Sequence, residues 1–369
     1  MKRRQLLIGG GGLIVAGAGA VWWGLRRMGS LDGYAVEAAQ MRALLAAQPT
    51  LLELVRYATL AASGHNTQAW LFRIDEERIE ILPDLSRRTP VVDPDDHHLF
   101  TSLGCAAENL ALAASARGRP GEVRFEAANE GSVVFSFGGA DAPNSELFDA
   151  VPLRQSTRAE FDGVPVSALE LGKLAEAARV PGVDVVLLTE RRSIDAVRDL
   201  VVAGNTLQMA DAAFVKELAS WLRFSPRQAL AAGDGLFGAA SGSPIAPAWL
   251  GALVFERSFS VEKENDKYAR QLRSSSGVAV FVAQKEDREH WVRVGRACQR
   301  FALQATALGL KHSFVNQAVE VAALRPDLAA LVGMPGRRPD LVMRFGRGPT
   351  LPYSPRRPVS AVVLGVERA

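Results

Sequence analysis

Cysteine is scarce in this chain of 369 residues: Cys105 and Cys298 stand far apart, outside any CxxC or histidine spacing, which excludes a disulfide framework and a thiolate metal site. Long basic runs interleaved with aromatics are also missing, and 43 Lys+Arg against 40 Asp+Glu leave the charge close to balanced, so no nucleic-acid partner is expected. No Gly-rich dinucleotide fingerprint opens a βαβ unit, so any nicotinamide binds transiently and not in a domain of its own. His97-His98 lack a third ligand, and neighbours on a helix point apart; they read as a polar helix start, and no metal site is assigned. What the chain does have is apolar residues, 48% of the total, ample at this length for a two-lobed core.

The first thirty residues differ in kind. Lys2-Arg3-Arg4 precedes an uncharged run over residues 6–25 that includes Trp22-Trp23, and Arg26-Arg27 follow. The arginine pair with Gln5-Leu6-Leu7 resembles a twin-arginine export signal, although Leu6 stands where Phe is preferred. A run of about twenty apolar residues is also long enough to span a bilayer. Export to the periplasm with cleavage and retention as an inner-membrane anchor both remain open. Residues 29–33 read as a linker.

Beyond it, a helix ends at Pro49, and Thr50 with Glu53 has capping-box spacing for a helix over 51–62. Alternation predicts a hairpin over 70–75 and 78–82, then a helix over 98–117 and strands near Val123 and Val133. The second half repeats this order. Ser167 and Glu170 cap a helix, residues 183–188 form a strand, and an amphipathic stretch covers 194–221. Then come a strand at 278–283, a helix at 290–308, and strands at 341–345 and 359–364. Residues 223–276 show little periodicity and read as an irregular lid over the site. Residues 104–118 lie over 295–309 without a gap, both beginning and ending in glycine, which suggests internal duplication. The expected fold is α+β: two related lobes, 31–150 and 151–369, with helices packed on antiparallel sheet.

Two segments are polar where their surroundings are apolar. Ser63-Gly64-His65-Asn66-Thr67-Gln68-Ala69-Trp70 concentrates donors and acceptors at a helix–strand junction. Arg154-Gln155-Ser156-Thr157-Arg158 places two arginines four apart with hydroxyls between them, a pattern that can wrap a phosphate through charge-assisted hydrogen bonds. Either segment alone also suits an ordinary polar turn.

Together they resemble the nitroreductase superfamily of FMN-dependent oxidoreductases. Arg154, Ser156 and Arg158 match its Arg-x-Ser-x-Arg, which grips the FMN phosphate. Ser63, Asn66, Gln68 and Trp70 match its Pro-Ser-Ser-x-Asn-x-Gln-Pro-Trp segment, which approaches the flavin from the partner subunit; Ala62 and Ala69 replace the prolines. Arg344-Phe345-Gly346 followed by Pro355-Arg356-Arg357 is similar to the family's closing basic pair. Here the phosphate motif follows the Asn-x-Gln segment by about ninety residues instead of preceding it. That order looks like the Acg-type branch, in which one long chain mimics the family's homodimer.

The resemblance implies a nitroreductase-like fold, a monomer acting as a pseudo-dimer, and FMN as cofactor. It implies NAD(P)H as transient reductant and a nitroaromatic, quinone or enone as small-molecule electron acceptor. Asn316 and Gln317 fall beside the implied flavin ring, or else cap a strand end. His65 is the one catalytic candidate, able to relay a proton or only to orient a neighbour. An FMN-binding or storage protein without turnover, and an anchored domain that has lost the flavin, stay open as other readings.

Overall fold

The computed structural model describes residues 27–139, 146–258 and 260–365; the export-like sequence lies outside them. The chain enters through α1 (Leu31–Met41), whose N-cap Ser30 accepts the Gly33 amide. The helix ends at Met41 and not near Gln48 because Arg42 turns inward to the Pro152 carbonyl (3.0 Å) and Arg56 takes up the carbonyls of Met41 and Ala43. The Thr50/Glu53 capping box opens α2 (Leu51–Ala58). Strands β1 (Trp70–Ile74) and β2 (Arg78–Pro83) form the expected hairpin, its turn held where Asp75 Oδ1 accepts the amides of Glu77 and Arg78.

Next comes α3 (His97–Ser115), buried along most of its length. Its free amides at His98 and Leu99 are satisfied by the Asp93 carboxylate at 3.0 Å each. β3 (Gly121–Glu126) and β4 (Ser132–Phe137) complete an antiparallel sheet of order β1-β2-β4-β3.

The second lobe opens with α4 (Glu146–Ala150), α5 (Ala168–Ala177) behind a second capping box at Ser167/Glu170, and β5 (Val183–Leu188). A long excursion follows: α6 (Arg191–Ala210), α7 (Ala212–Ser220), β6 (Leu222–Arg223), α8 (Pro226–Ala232), β7 (Leu236–Phe237), α9 (Ala248–Ser258) and α10 (Val261–Arg273). The chain then forms β8 (Gly277–Ala283), α11 (Arg288–Ala307), β9 (Lys311–Phe314), α12 (Gln317–Glu320), α13 (Arg325–Leu331) and β10 (Pro339–Gly346). The sheet order β5-β8-β10-β9 repeats that of the first lobe, strand for strand.

The two long helices α3 and α11 cross between the lobes, and their contact is reciprocal. A Cβ on Gly104 would lie 2.0 Å from the Val292 carbonyl oxygen, and a Cβ on Gly295 would lie 1.9 Å from that of Thr101. Each glycine thus faces the residue three positions before the other, as a two-fold relation between duplicated halves requires. The fold is α+β with two related lobes, as the sequence implied.

Three expectations are corrected. The stretch 223–276 is not irregular: Ser225 and Ser260 cap α8 and α10, and Pro226 sits at the first turn of α8, where its missing N–H costs nothing. The amphipathic stretch 194–221 is two helices, broken at Asp211, whose carboxylate caps α7. Residues 359–364 form a 3-10 turn with one bridge to Phe72, not a strand. Among the described residues no helix is long and apolar enough to cross a membrane.

Candidate functional site

The loop between α2 and β1 is bent by three left-handed residues that are not glycine: His65 (φ 48°), Asn66 (φ 54°) and Gln68 (φ 53°). Such backbone costs on the order of 1–3 kcal/mol per residue and persists where surrounding bonds over-determine it. Here they do. Asn66 Nδ2 donates to the carbonyls of Gly235 (3.0 Å) and Pro355 (3.1 Å), while Gln68 Nε2 donates to Gly233 (2.9 Å). The long excursion of the second lobe and the C-terminal tail therefore fasten onto this first-lobe loop.

Facing it, across the seam between the lobes, lies a void of about 50 Å3 lined by Arg42, Ser63, Asn66, Arg154, Ser156, Arg158, Tyr353, Ser354 and Arg356, with Leu236 and Phe314 as apolar walls. Arg154 Nη2 donates to the Leu60 carbonyl (3.0 Å) and Arg356 Nη2 to those of Leu60 and Ala61 (3.2 and 3.1 Å). Arg356 Nη1 also donates to Asn66 Oδ1 (2.8 Å), and Arg42 stacks 3.7 Å over the Tyr353 ring. The Nε groups of Arg154 and Arg356 are buried without a partner.

Among the described residues none of these guanidiniums is paired with a carboxylate. Burial pushes the Arg42 pKa down to about 9, with Arg154 beside it adding to the shift. Burial likewise lowers Arg154 and Arg158, and it lowers Arg356 strongly, with Arg42 and Arg154 contributing. Burying a cation without its counter-ion is costly, so a cluster of this kind is a site for an anion.

Arg344, fully buried, holds the Arg154–Arg158 loop in shape by donating to the carbonyls of Thr157 (3.0 Å) and Ala159 (2.6 Å). His312 supports it from β9, accepting the Thr157 amide on its carbonyl (2.8 Å) while both of its buried ring nitrogens lack a partner.

The structure thus brings together Arg154, Ser156, Arg158, Ser63, Asn66 and Arg356. Gln68 lies behind the cavity wall, tying Gly233 to the Arg357 amide (2.9 Å). Arg357 turns away from the void to Asp84 (3.4 Å) and the Gln68 carbonyl, because Asp84 offers the compensating charge that the void lacks. Asn316 accepts the Val342 amide (2.9 Å), which is the strand-end cap, and Gln317 is buried beneath Gly204. Neither lines the void. The His65 ring makes no hydrogen bond, and its pKa is lowered to about 4 by burial first, then by Arg158 and His98.

His97 and His98 do open α3, and both are buried there: His97 Nε2 meets Asp340 at 2.9 Å in the core, and His98 faces Glu320 at 3.8 Å. Arg42, Tyr353 and His312 carried no local signal, since each reaches the site from a different element.

No family model matches the chain. It is 27% identical over 333 residues to a protein of Mycobacterium tuberculosis (strain H37Rv) named a "Putative NAD(P)H nitroreductase", spanning 85% of this chain and 91% of the relative. It is 25% identical over 327 residues to "Putative NAD(P)H nitroreductase acg" of the same organism, spanning 84% and 93%. Among solved structures, the FMN-dependent nitroreductase NfnB of Mycobacterium smegmatis covers 61% of this chain at 12% identity, with 94% of its own length and a TM-score of 0.37. A nitroreductase–FMN complex from Desulfovibrio desulfuricans covers 62% at 14% identity, with 100% of its length and a TM-score of 0.36. Over most of its length, then, this chain is similar to NAD(P)H nitroreductases of the Acg type.

Proposed function

We propose that the chain holds one FMN by its phosphate at the seam between the lobes and passes electrons from NAD(P)H to a small organic acceptor of the nitroaromatic, quinone or enone class. The observation that carries this reading is the cluster of Arg42, Arg154, Arg158 and Arg356, none of them in an ion pair, around one void. The relatives' names support the reductant, and the two sequence motifs support the cofactor.

The donor set fits a phosphate. Unpartnered Nε groups on Arg154 and Arg356 and the hydroxyls of Ser63, Ser156 and Ser354 border the void and supply the donors a phosphate takes. Residues 233–235, held by Asn66 and Gln68, lead into Leu236 in the wall of the void. Bound FMN supplies the hydride chemistry, so the protein needs only to position it and shape its electrostatics. Arg344 and His312 keep the Arg154–Arg158 loop in register. His65, neutral at pH 7, adds no charge beside Arg158 and offers one ring nitrogen as hydrogen-bond donor and the other as acceptor.

That clasp of residues 233–236 also favours a second reading, a protein that stores FMN without turnover. Anaerobic mixing of the flavin-loaded chain with NADH and with NADPH separates the two: rapid bleaching of the flavin band marks a reductase. For binding itself, Arg154→Ala with Arg158→Ala should strip flavin from the purified chain, at about 1.5–3 kcal/mol per lost charged hydrogen bond. Wild-type flavin content in that double variant rejects the reading.

A further inference from the structure

One helix presents apolar side chains to solvent where the chain enters the fold. From Ala248 to Phe255, α9 carries no charge, yet Trp249 and Val254 are 53% and 51% exposed and Leu253 36%. A surface helix ordinarily turns such a stripe inward. Here the inward side is already taken: a Cβ on Gly251 would lie 2.3 Å from Phe224 Cγ, and the Ala246 amide donates to the Phe224 carbonyl (2.9 Å). Trp249 and Leu253, one turn apart, share the outer face.

Phe224 leads into α8, and the amide of Arg227 in α8 donates to the carbonyl of Met28 at 2.8 Å. Gly29 is seated against Arg227 in a left-handed conformation (φ 78°). Met28 therefore lies at the same corner that carries α9. The sequence that precedes it is the uncharged run 6–25, followed by Arg26-Arg27. Arg257, exposed, follows Trp249 and Leu253 at four-residue spacing on the same face of α9, and exposed Leu230 and Arg227 lie on α8, which Phe224 joins to it.

We propose that this face lies on an anionic lipid bilayer. In this arrangement α9 rests at the boundary between headgroups and acyl chains, with the Trp249 indole at the interface and Arg227 and Arg257 reaching the headgroups. An indole with aliphatic neighbours and bordering cations is the composition of a helix lying in the membrane plane. The uncharged run 6–25, read from its sequence as membrane-addressing, joins the fold through Arg26-Arg27 at Met28, so with α9 it would make a bivalent attachment. The inference stands apart from the FMN reading, since no residue of the cationic void takes part.

The test uses the full chain with Trp249→Cys carrying a nitroxide; the two native thiols are buried and escape labelling. On vesicles of phosphatidylethanolamine and phosphatidylglycerol, the label should collide several-fold more with oxygen, relative to a water-soluble nickel chelate, than a label at Leu169→Cys. Leu169 is 73% exposed on α5 of the second lobe and serves as the aqueous reference. Val254→Cys is the second reporter should Trp249→Cys fold poorly. Equal aqueous accessibility at both positions overturns the proposal. So does a dipolar-broadened, immobilised spectrum before vesicles are added, which would identify a second copy of this chain as the occupant.

Discussion

Arg42 shows at the scale of one residue how the site differs from a stable core. Its guanidinium has one protein acceptor and the Tyr353 ring, and its neighbours Arg154 and Arg356 repel it. Removing a buried charge that lacks a counter-ion relieves a desolvation cost. Arg42→Met should therefore leave the flavin-free protein as stable or more so in thermal melts, while weakening FMN by about 1.5–3 kcal/mol in titrations. Loss of stability together with unchanged affinity would show that Arg42 only braces the Pro152 turn. His65 gives a pH dependence whose sign is fixed. Its folded pKa of about 4 lies below the ordinary histidine value of 6.5, so the unfolded chain takes the proton first as pH falls. Its contribution to stability is thus complete above pH 6.5 and declines as pH drops toward 4. Urea midpoints of the flavin-free protein measured across that window should fall with pH, and His65→Gln should flatten part of the slope.

At the scale of elements, the parts legible in the sequence were those with local causes. Thr50/Glu53 and Ser167/Glu170 cap their own helices, and Asp75 closes its own hairpin, so neighbours in sequence settle the geometry. The helices of the long excursion were hidden by its Gly and Pro content, although Ser225-Pro226 and Ser260 are ordinary start signals. The apolar run 359–364 read as a strand and failed because only its last residues reach the edge strand β1, bridging at Phe72 alone, while Val359–Ala361 close into a 3-10 turn. The crossing of α3 and α11 carries its own prediction: Gly104→Val should destabilise by at least about 1–3 kcal/mol, read as a lower urea midpoint, since the Val292 backbone cannot move aside as a side chain could. The excursion carries another. Asp234 holds both Arg87 and Arg223, the latter at 2.6 Å, and so fixes the loop that clasps Asn66 and Gln68. Asp234→Asn should raise amide exchange at Gly233 and Gly235 and speed FMN release, and unchanged protection at both amides would remove the clasp from the gating argument.

For the molecule as a whole, duplication makes two seams but supplies one set of cationic and loop residues. The strained Ser63–Gln68 type of loop in the first lobe corresponds to residues 178–182 in the second, where Ala178-Arg179-Val180-Pro181-Gly182 offers no Asn or Gln. The expected flavin content is therefore one per monodisperse chain, and a value near two would refute the single seam. The site residues split the same way in legibility. Arg154 to Arg158 form a compact motif that the sequence displays, whereas Arg42, His312 and Tyr353 meet it only through the tertiary fold.

The matched strand orders also show where this architecture accepts extra chain. In the second lobe the connections β5 to β8 and β9 to β10 carry whole helices, while the equivalent connections in the first lobe are the short turns after Ile74 and after Glu126. Those two turns are therefore natural grafting points, where a fluorescent reporter or a peptide tag could be spliced into the first lobe with its hairpins left paired.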